Sequence, residues 1–267
     1  MEQYDMHVHS RFSFDGKDEL PKECAAARER GIAGLCFTEH FSVDPADVSY
    51  GVLDLLAYCQ QVQQCRKIYG NSLWIGFGLE IGEPQLAQYS NDLAAALRKV
   101  PLDYIIGSVH NICSRKLRLF MQEKTKAEVY ATYFNEVLSM VQTARIDVVG
   151  HLDLMKRYAF SLFGNYSFAD YENVLTQILQ CVISRGIGIE INISGWRNAV
   201  QEPYPSREVL QLYKRLGGIY ITIGSDAHTA EHLATDFLRA QEILRQCGFT
   251  EIYYYEKHIP KAVSLLE

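Results

Sequence analysis

Histidine and carboxylate side chains recur at the ends of apolar, strand-like runs in this sequence. Six of the eight histidines occupy such positions. The ends of successive runs carry, in chain order, His7 with His9, His40, Glu80, His110, His151, and Asp226 with His228. Imidazole and carboxylate groups are ligands that Zn, Mn and Fe ions share, so the pattern predicts a metal site. Because successive strands of a barrel deliver their carboxyl ends to one rim, we expect these side chains to meet there.

Two pairs of these ligands are separated by a single residue. His7 and His9 lie two apart in a strand-like run, so both side chains point to the same face. Asp226 and His228 form a second pair at the last run, and the first and last strands of a closed barrel are neighbours. A lone His-x-His pair consists of two ordinary polar strand residues about as often as it consists of two metal ligands. The second pair on a neighbouring strand favours metal binding.

We predict nine metal ligands: His7, His9, Asp15, His40, Glu80, His110, His151, Asp226 and His228. Asp15 lies in a turn-like segment and is included only because of the family resemblance given below. Nine ligands are too many for one ion and more than a two-metal site usually needs. If Glu80 bridges, each of three divalent transition-metal ions (Zn, Mn or Fe) receives three or four protein ligands. Ions about 3.5–4 Å apart can generate hydroxide at neutral pH and hold the attacking and leaving oxygens of a phosphate ester.

Further polar side chains follow the predicted strands and suit supporting roles. Arg157 and Arg197 each lie a few residues past a strand, where a guanidinium group could bind phosphate; a solvated loop arginine is the alternative for each. Glu190 is expected to support the site from below, and Glu39 either faces away from it or accepts a hydrogen bond from a ligand histidine. His232 lies one helical turn past His228 and suits substrate contact as well as a position in a helix.

Strand-like and helix-like segments alternate along the chain. Strands are predicted at residues 4–8, 32–37, 73–79, 104–109, 146–150, 186–193 and 218–223. Segments with helical periodicity are residues 20–30, 53–69, 86–99, 125–143, 171–185, 206–216 and 230–247. This alternation predicts an α/β fold of parallel βαβ units, and the strand composition favours a closed or nearly closed barrel. No linker interrupts residues 1–267, so one domain is expected, with an aromatic strand at residues 251–255 that covers an edge or closes the barrel.

Composition excludes several classes of function. The 267 residues carry a net charge of −6, which argues against long nucleic acid as a ligand. Seven cysteines without a Cys-x-x-Cys pair are typical of a reduced compartment, and we expect a cytoplasmic protein. A strand is reached by Asp5 without a basic and apolar leader, so no signal peptide is predicted. The apolar runs are too short for a membrane span, which needs about 18 residues.

The motifs together resemble the PHP (polymerase and histidinol phosphatase) superfamily. The matching segments, in order, are His7-Val8-His9 with Ser13-Phe14-Asp15-Gly16, Thr38-Glu39-His40, Gly78-Leu79-Glu80, Gly107-Ser108-Val109-His110, Gly150-His151-Leu152-Asp153-Leu154, Glu190-Ile191-Asn192 and Gly224-Ser225-Asp226-Ala227-His228. The resemblance implies a distorted (β/α)7 TIM-like barrel with a trinuclear site at the C-terminal rim. It assigns one ion to His7, His9, Glu80 and Asp226, a second to Glu80, His110 and His151, and a third to Asp15, His40 and His228.

Within this superfamily the chain resembles the monofunctional histidinol-phosphatases, which hydrolyse L-histidinol phosphate in histidine biosynthesis. That resemblance extends to Arg157 and Arg197 as phosphate contacts. The mechanism that we expect is in-line attack by a metal-bound hydroxide, with inversion at phosphorus. Asp226 or His228 would assist proton movement, and His232 or a metal-bound water would donate to the leaving group. One segment departs from the branch: residues 111–116 lack its apolar-acidic-glycine sequence.

Other functions remain open from the residues alone. A phosphoesterase of the same superfamily acting on a nucleotide or another small phosphate ester is the nearest alternative. A metal-dependent amidohydrolase or deaminase usually needs fewer ligands or a carboxylated lysine, and no lysine closes a strand here. A non-catalytic relative should lose ligands, whereas all nine are present. The sequence predicts a small phosphate ester as substrate and leaves the oligomeric state open.

Overall fold

Seven parallel strands form the centre of the protein. The computed structural model describes residues 2–122 and 124–266. Its strands are β1 (Tyr4–Val8), β2 (Gly34–Phe41), β3 (Trp74–Gly82), β4 (Tyr104–Ser108), β5 (Asn111–Ile112), β6 (Arg115–Lys116), β7 (Val148–Val149), β8 (Gly188–Asn192), β9 (Ile221–Gly224), β10 (Glu251–Glu256) and β11 (Ile259–Ser264). The central sheet has the order β1-β2-β3-β4-β7-β8-β9, and every neighbouring pair in it is parallel.

The first and last strands of this sheet meet at their carboxyl ends. Val8 forms a parallel bridge with Ala227. The backbone N–H of His9 donates to the carbonyl of Ala227 at 2.8 Å, and that of Asp226 donates to the carbonyl of His7 at 2.8 Å. The strands therefore form a nearly closed, TIM-like (β/α)7 barrel, as the strand count predicted. The contact between first and last strands brings the two ligand pairs together.

Helices cover the outside of the barrel because each buries one apolar face against the strands. They are α1 (Leu20–Glu29), α2 (Leu55–Tyr69), α3 (Ser90–Leu97), α4 (Leu117–Phe120), α5 (Lys126–Thr143), α6 (Met155–Phe163), α7 (Phe168–Ser184), α8 (Arg207–Arg215) and α9 (Phe237–Gln246), with 3-10 helices at Ala87–Tyr89, Ile193–Arg197 and Ala230–His232. Within the described parts of the chain, no helix is long and apolar enough to cross a membrane.

The C-terminal hairpin of β10 and β11 packs against the barrel at the end opposite the ligand-bearing strand ends. Its rings contact residues near the start of the barrel strands: Tyr254 stacks on Tyr4 with ring centroids 4.3 Å apart, and Tyr255 lies 5.1 Å from Tyr104. Tyr255 is buried in a cluster with Met6 and other inward-facing barrel residues. The predicted aromatic strand therefore covers the barrel interior, and its strand partner is β11.

Two helical segments differ from the prediction. The region after His151 was not among the predicted helices, but it contains α6, whose C-cap is Gly164 with a φ of 67°. The predicted helix at 230–247 is divided in two, because Asp236 adopts a left-handed conformation (φ 62°) immediately before α9. Both differences lie beside the strand ends that carry the predicted site.

Candidate metal centre

Glu80 lies at the centre of the predicted ligand cluster. It occupies β3 near its carboxyl end, and only 1% of its side chain is exposed. Its Oε1 lies 2.7 Å from His151 Nε2 and 3.1 Å from His110 Nε2. Its Oε2 lies 2.8 Å from His40 Nδ1. A single carboxylate thus contacts imidazoles from three other parts of the barrel rim.

The two ligand pairs face this carboxylate from the adjacent strands. His7 Nε2 and His9 Nε2 are 3.0 Å apart, and each lies 3.4 Å from Glu80 Oε2. Asp226 Oδ1 lies 3.9 Å from the first nitrogen and 3.6 Å from the second. His7, His9 and Asp226 therefore surround one point with two nitrogens and a carboxylate oxygen, as expected for the ligands of one ion.

A third group lies at the more open side of the cluster. Asp15 bridges two imidazoles, with Oδ1 3.5 Å from His40 Nε2 and Oδ2 3.3 Å from His228 Nε2. The His9 ring stacks between these two imidazoles, with centroid distances of 4.2 and 4.4 Å. The turn that contains Asp15 is folded back onto the site because Gly16 lies directly against the Ser10 backbone, where a Cβ would be only 1.8 Å from the carbonyl oxygen.

The outer nitrogens of two predicted ligands, His7 and His9, bind buried acceptors. His7 Nδ1 lies 2.7 Å from Glu190 Oε1, and His9 Nδ1 lies 3.1 Å from Ser13 Oγ. Ser13 in turn donates to Glu39 Oε2 at 2.5 Å. A proton on each outer nitrogen leaves the lone pair of the inner nitrogen directed at the cluster, which is the arrangement that metal-ligating histidines adopt.

Glu190 approaches the ligands from below, in space that a glycine leaves open. Its Oε2 accepts from the backbone N–H of His151 at 2.8 Å and from Asn192 Nδ2 at 3.1 Å. A Cβ on Gly224 would lie 2.0 Å from Glu190 Oε1 and 2.5 Å from His7 Cβ. The glycine at the end of β9 is therefore required for this carboxylate to reach the histidine ring.

Burial and the charges of nearby imidazoles have opposite effects on the pKa of the carboxylates in the cluster. Burial would raise the pKa of Glu80, but the surrounding imidazoles, led by His110 and His7, outweigh it and hold that pKa well below its usual range. The pKa of Asp226 is lowered in the same way, with His7 as its strongest partner. Burial, followed by the charges of His40 and His228, lowers the pKa of His9 well below its ordinary value. The surrounding imidazoles thus hold the carboxylates of the cluster in the anionic form, which is the form that binds metal.

These donors fit divalent transition-metal ions. Four overlapping sets of three ligands have donor atoms within 4.8 Å of one another: His7, His9 and Asp226; His7, Glu80 and His151; His40, Glu80 and His110; His9, His40 and His228. Glu80 Oε2 is buried and accepts no hydrogen bond of ordinary geometry, although imidazole nitrogens surround it. Cations between these atoms would satisfy that oxygen and the converging lone pairs. Metal-binding groups of histidine and carboxylate are therefore present, as predicted.

A cavity of about 510 Å³ opens above the cluster. Seven of the nine predicted ligands line it: Asp15, His40, Glu80, His110, His151, Asp226 and His228. His7 and His9 lie beneath them and are fully buried. Arg157 and Tyr158 of α6 line the same cavity. The ligand cluster thus forms the floor of a cavity large enough for a small organic substrate.

Two other predicted site residues are not among the described residues that line this cavity. Arg197 donates to the carbonyls of Ser225 at 2.6 Å and Asp226 at 3.2 Å, and so holds the backbone of the strand end that carries a ligand. His232 lies in a 3-10 helix, where its Nδ1 is 3.4 Å from Thr229 Oγ1. The roles of Arg197 in phosphate binding and of His232 in proton transfer stay predictions.

The sequence patterns did not single out several residues of this site. Tyr158 was overlooked because α6 was expected to be a loop. Ser194 donates to Asp226 Oδ2 at 3.1 Å, a contact made across strands that no local spacing indicates. Asp5 accepts from the N–H of Ser225 at 2.9 Å. Its position two residues before His7 on β1 places both side chains on the same face of the strand, and this spacing could have identified it.

Comparison with known proteins agrees with this site. The histidinol-phosphatase of Lactococcus lactis is 29% identical over 258 residues, which cover 94% of each chain, and the probable histidinol-phosphatase of Clostridium acetobutylicum is 27% identical over 97% of this chain and 98% of its own. The crystal structure of histidinol phosphate phosphatase from Lactococcus lactis, complexed with Zn, L-histidinol and phosphate, superposes with a TM-score of 0.89 at 28% identity and covers 97% of this chain and 99% of its own. A putative histidinol phosphatase from Listeria monocytogenes shares the fold, with a TM-score of 0.76 at 19% identity over 89% of this chain and 99% of its own.

The model of the PHP domain family matches residues 5–194. This match spans β1 to β8 and includes seven of the predicted ligands, from His7 to His151, while Asp226 and His228 follow it on the strand that meets β1. The strand order, the ligand cluster and the family match agree, and the chain belongs to the PHP domain family.

Proposed function

We propose that this protein is a metal-dependent phosphomonoesterase that hydrolyses L-histidinol phosphate to L-histidinol and phosphate, a reaction of histidine biosynthesis. The observation that carries the proposal is that eight predicted nitrogen and oxygen ligands gather around the ninth, Glu80, at the floor of one cavity. The substrate follows from the likeness to the Lactococcus lactis enzyme, whose structure contains Zn, L-histidinol and phosphate.

We assign three divalent ions to the cluster. The first would be held by His7, His9, Glu80 and Asp226, the second by Glu80, His110 and His151, and the third by Asp15, His40 and His228. Two sets of contacts are used in this division: Asp15 joins the two imidazoles of the third group, and Glu80 lies within 3.4 Å of His7 and 2.7 Å of His151. Glu80 also lies 2.8 Å from His40 and so connects the third group to the other two. When bound, such ions supply charge neutralisation for phosphoryl oxygens and a water of lowered pKa.

We propose that Arg157, a cation that lines the cavity, binds the phosphoryl group. Burial opposes its charge, but the neighbouring Asp226 outweighs that effect and raises the pKa of the guanidinium. A guanidinium beside the cluster presents several N–H donors to phosphoryl oxygens and offsets the charge that develops in the transition state. Arg197 would support this role from behind by holding the backbone at Ser225 and Asp226.

We propose that water attacks phosphorus directly and in line with the leaving oxygen. Asp226 and His228 both line the cavity and are our candidates for moving protons, since their side chains lie 3.6 Å apart. A reaction without a covalent enzyme intermediate inverts the configuration at phosphorus. Hydrolysis of a chiral phosphate ester with net retention would contradict this mechanism.

A second candidate substrate has a specific observation in its favour. Lys116 and Arg118 line the mouth of the cavity, and both are exposed. Two cations there would suit an ester with a further anionic group, such as a nucleotide. Exposed cations are screened by solvent, so we rank this candidate second.

The test is phosphate release from L-histidinol phosphate by protein loaded with Zn or Mn, with AMP and other phosphomonoesters assayed in parallel. We expect a strong preference for L-histidinol phosphate, and we expect His9→Ala to abolish the activity, because His9 is a proposed ligand of the first ion and its Nε2 lies 3.4 Å from Glu80 Oε2. A preference for AMP would overturn the proposed substrate and leave the proposed metal site standing. Release of phosphate at the same rate by metal-free protein would contradict the mechanism itself.

A further inference from the structure

Asp47 is a carboxylate of the active-site cavity for which the proposed chemistry gives no role. It lies in the loop between β2 and α2. Among the residues that the structure describes, four acidic ones line the cavity: Asp15, Asp47, Glu80 and Asp226. Three of them are proposed metal ligands, which leaves Asp47 as the acidic group available to the organic part of a substrate.

Hydrogen bonds fix the orientation of this carboxylate. Its Oδ1 accepts from the backbone N–H of Ser49 at 2.7 Å and from Ser49 Oγ at 2.5 Å. Its Oδ2 accepts from Asn111 Nδ2 at 2.6 Å. Each carboxylate oxygen still has acceptor capacity for another donor, because the pair of oxygens offers about four lone-pair sites.

Asn111 connects Asp47 to the segment that directly follows His110. The same Nδ2 that donates to Asp47 also donates to Glu83 Oε2 at 2.8 Å, and Glu83 Oε1 accepts from the backbone N–H of Asn111 at 2.7 Å. Asn111 begins the segment in which this chain departs from the histidinol-phosphatase pattern. A side chain from that departing segment therefore positions the free carboxylate.

Asp47 borders the space beside the metal cluster. A Cβ placed on Gly82 would lie 3.9 Å from Asp47 Oδ2 and 3.6 Å from His110 Nδ1. The carboxylate and the outer edge of a predicted ligand thus flank the same small volume. A substrate with its phosphoryl group on the cluster could place a substituent of its alcohol portion against Asp47.

We propose that Asp47 forms a subsite for the protonated amine of the leaving alcohol. The inference rests on the proposed function, because L-histidinol is an amino alcohol whose amine is a cation near neutral pH. A carboxylate oriented by Ser49 and Asn111 gives such a cation a charge-assisted hydrogen bond, which is about twice as strong as a neutral one.

The experiment compares two substrates in wild-type and Asp47→Asn protein. One is L-histidinol phosphate, and the other is 3-(imidazol-4-yl)propyl phosphate, which lacks only the amine. Asparagine keeps the size of the side chain and removes its charge. We expect kcat/KM of the variant to fall about 10- to 100-fold for L-histidinol phosphate, the size of a lost charge-assisted contact. The amine-free ester should change less than about threefold, which is within the spread of a lost surface charge.

Asp44→Asn is the matched control. Asp44 belongs to the same loop, carries the same charge and accepts from the N–H of Ala46, but it is not among the described residues that line the active-site cavity. This variant should keep the wild-type ratio between the two substrates.

The outcomes separate this inference from the proposed function. Wild-type protein that prefers the amine, with an Asp47→Asn variant that keeps the same preference, would overturn the subsite and leave the function standing. An equal loss of both substrates in that variant would also overturn it, because it would show a structural role. Wild-type protein that is indifferent to the amine and prefers AMP would overturn both proposals.

Discussion

Replacing Glu190 with glutamine should weaken metal binding while the barrel stays folded. Glu190 is fully buried and lies behind the proposed metal ligands. One oxygen is 2.7 Å from His7 Nδ1, and the other accepts from the His151 N–H at 2.8 Å and from Asn192 at 3.1 Å. The carboxylate therefore fixes the tautomer of one ligand and the backbone of another.

The magnitude follows from what an amide can and cannot accept. In Glu190→Gln one of the two oxygens becomes an NH2 group. If that group faces His7, it opposes the N–H of Nδ1 or drives the proton to Nε2, where the ion would bind. If it faces His151, the backbone N–H of that residue loses its acceptor. In either arrangement a buried group lacks its hydrogen-bond partner, which is unfavourable by about 1–3 kcal/mol. Loss of such a supporting partner weakens metal binding about 10- to 100-fold.

Competition with a chromophoric chelator measures this change. Zn affinity is determined for the wild type, for Glu190→Gln and for Glu208→Gln, a control that removes an exposed carboxylate from α8. Circular dichroism of the chelated proteins shows whether the fold is retained. A folded Glu190→Gln variant that competes for Zn as well as the wild type would refute the reasoning, because the hydrogen bond to His7 would then have no effect on the ligand.

Three further predictions follow from buried and cavity-lining charges. Arg157→Gln should lower kcat/KM about 10- to 100-fold with unchanged metal content, and an unchanged kcat/KM would contradict its contact with phosphate. Burial raises the pKa of Glu23 to about 10, so the folded state keeps a proton that the unfolded state loses above pH 4.5, and stability falls as the pH rises between these values. Glu23→Gln should therefore stabilise the protein by about 4 kcal/mol at pH 7.5 and by almost nothing at pH 4, as urea unfolding at the two pH values would show; equal gains at both would refute the assignment. Lys156 lies 3.0 Å from Asp153, and both are buried. Lys156→Met should lower the free energy of unfolding by about 3–5 kcal/mol, because it leaves the buried charge of Asp153 without its partner. Adding Asp153→Asn to this variant should recover part of the lost stability, and no recovery would show that the unpaired charge is not the cause.

The sequence predicted the barrel and the position of its site from strand ends. All seven barrel strands are present, and Glu80, His110 and His151 each lie at or just beyond the end of one. This was possible because strands buried on both faces are distinctly apolar, so a histidine or carboxylate at their ends stands out. Local periodicity also located α1, α2 and α5 to within a few residues.

The parts that were not predicted depend on contacts between distant segments. Helix α6 carries Arg157 and Tyr158 into the cavity, but its nine residues follow directly on a ligand segment that reads as a loop. Asp236 interrupts the last predicted helix through a left-handed backbone conformation that aspartate tolerates and sequence periodicity does not reveal. Hydrogen bonds such as Ser194 to Asp226 and Asn111 to Asp47 depend on loop conformations that only the folded barrel fixes.

Anomalous diffraction at the Zn edge tests the central claim most directly. Crystals grown with Zn and phosphate should show three peaks around Glu80 and Asp15, with neighbouring ions about 3.5–4 Å apart and phosphate in contact with them. Each peak should lie among the ligands assigned to it, the first beside His7 and His9, the second beside His110 and His151, and the third beside His40 and His228. Crystals with phosphate in the cavity and no metal within reach of Glu80 would contradict the claim that these side chains form a metal centre.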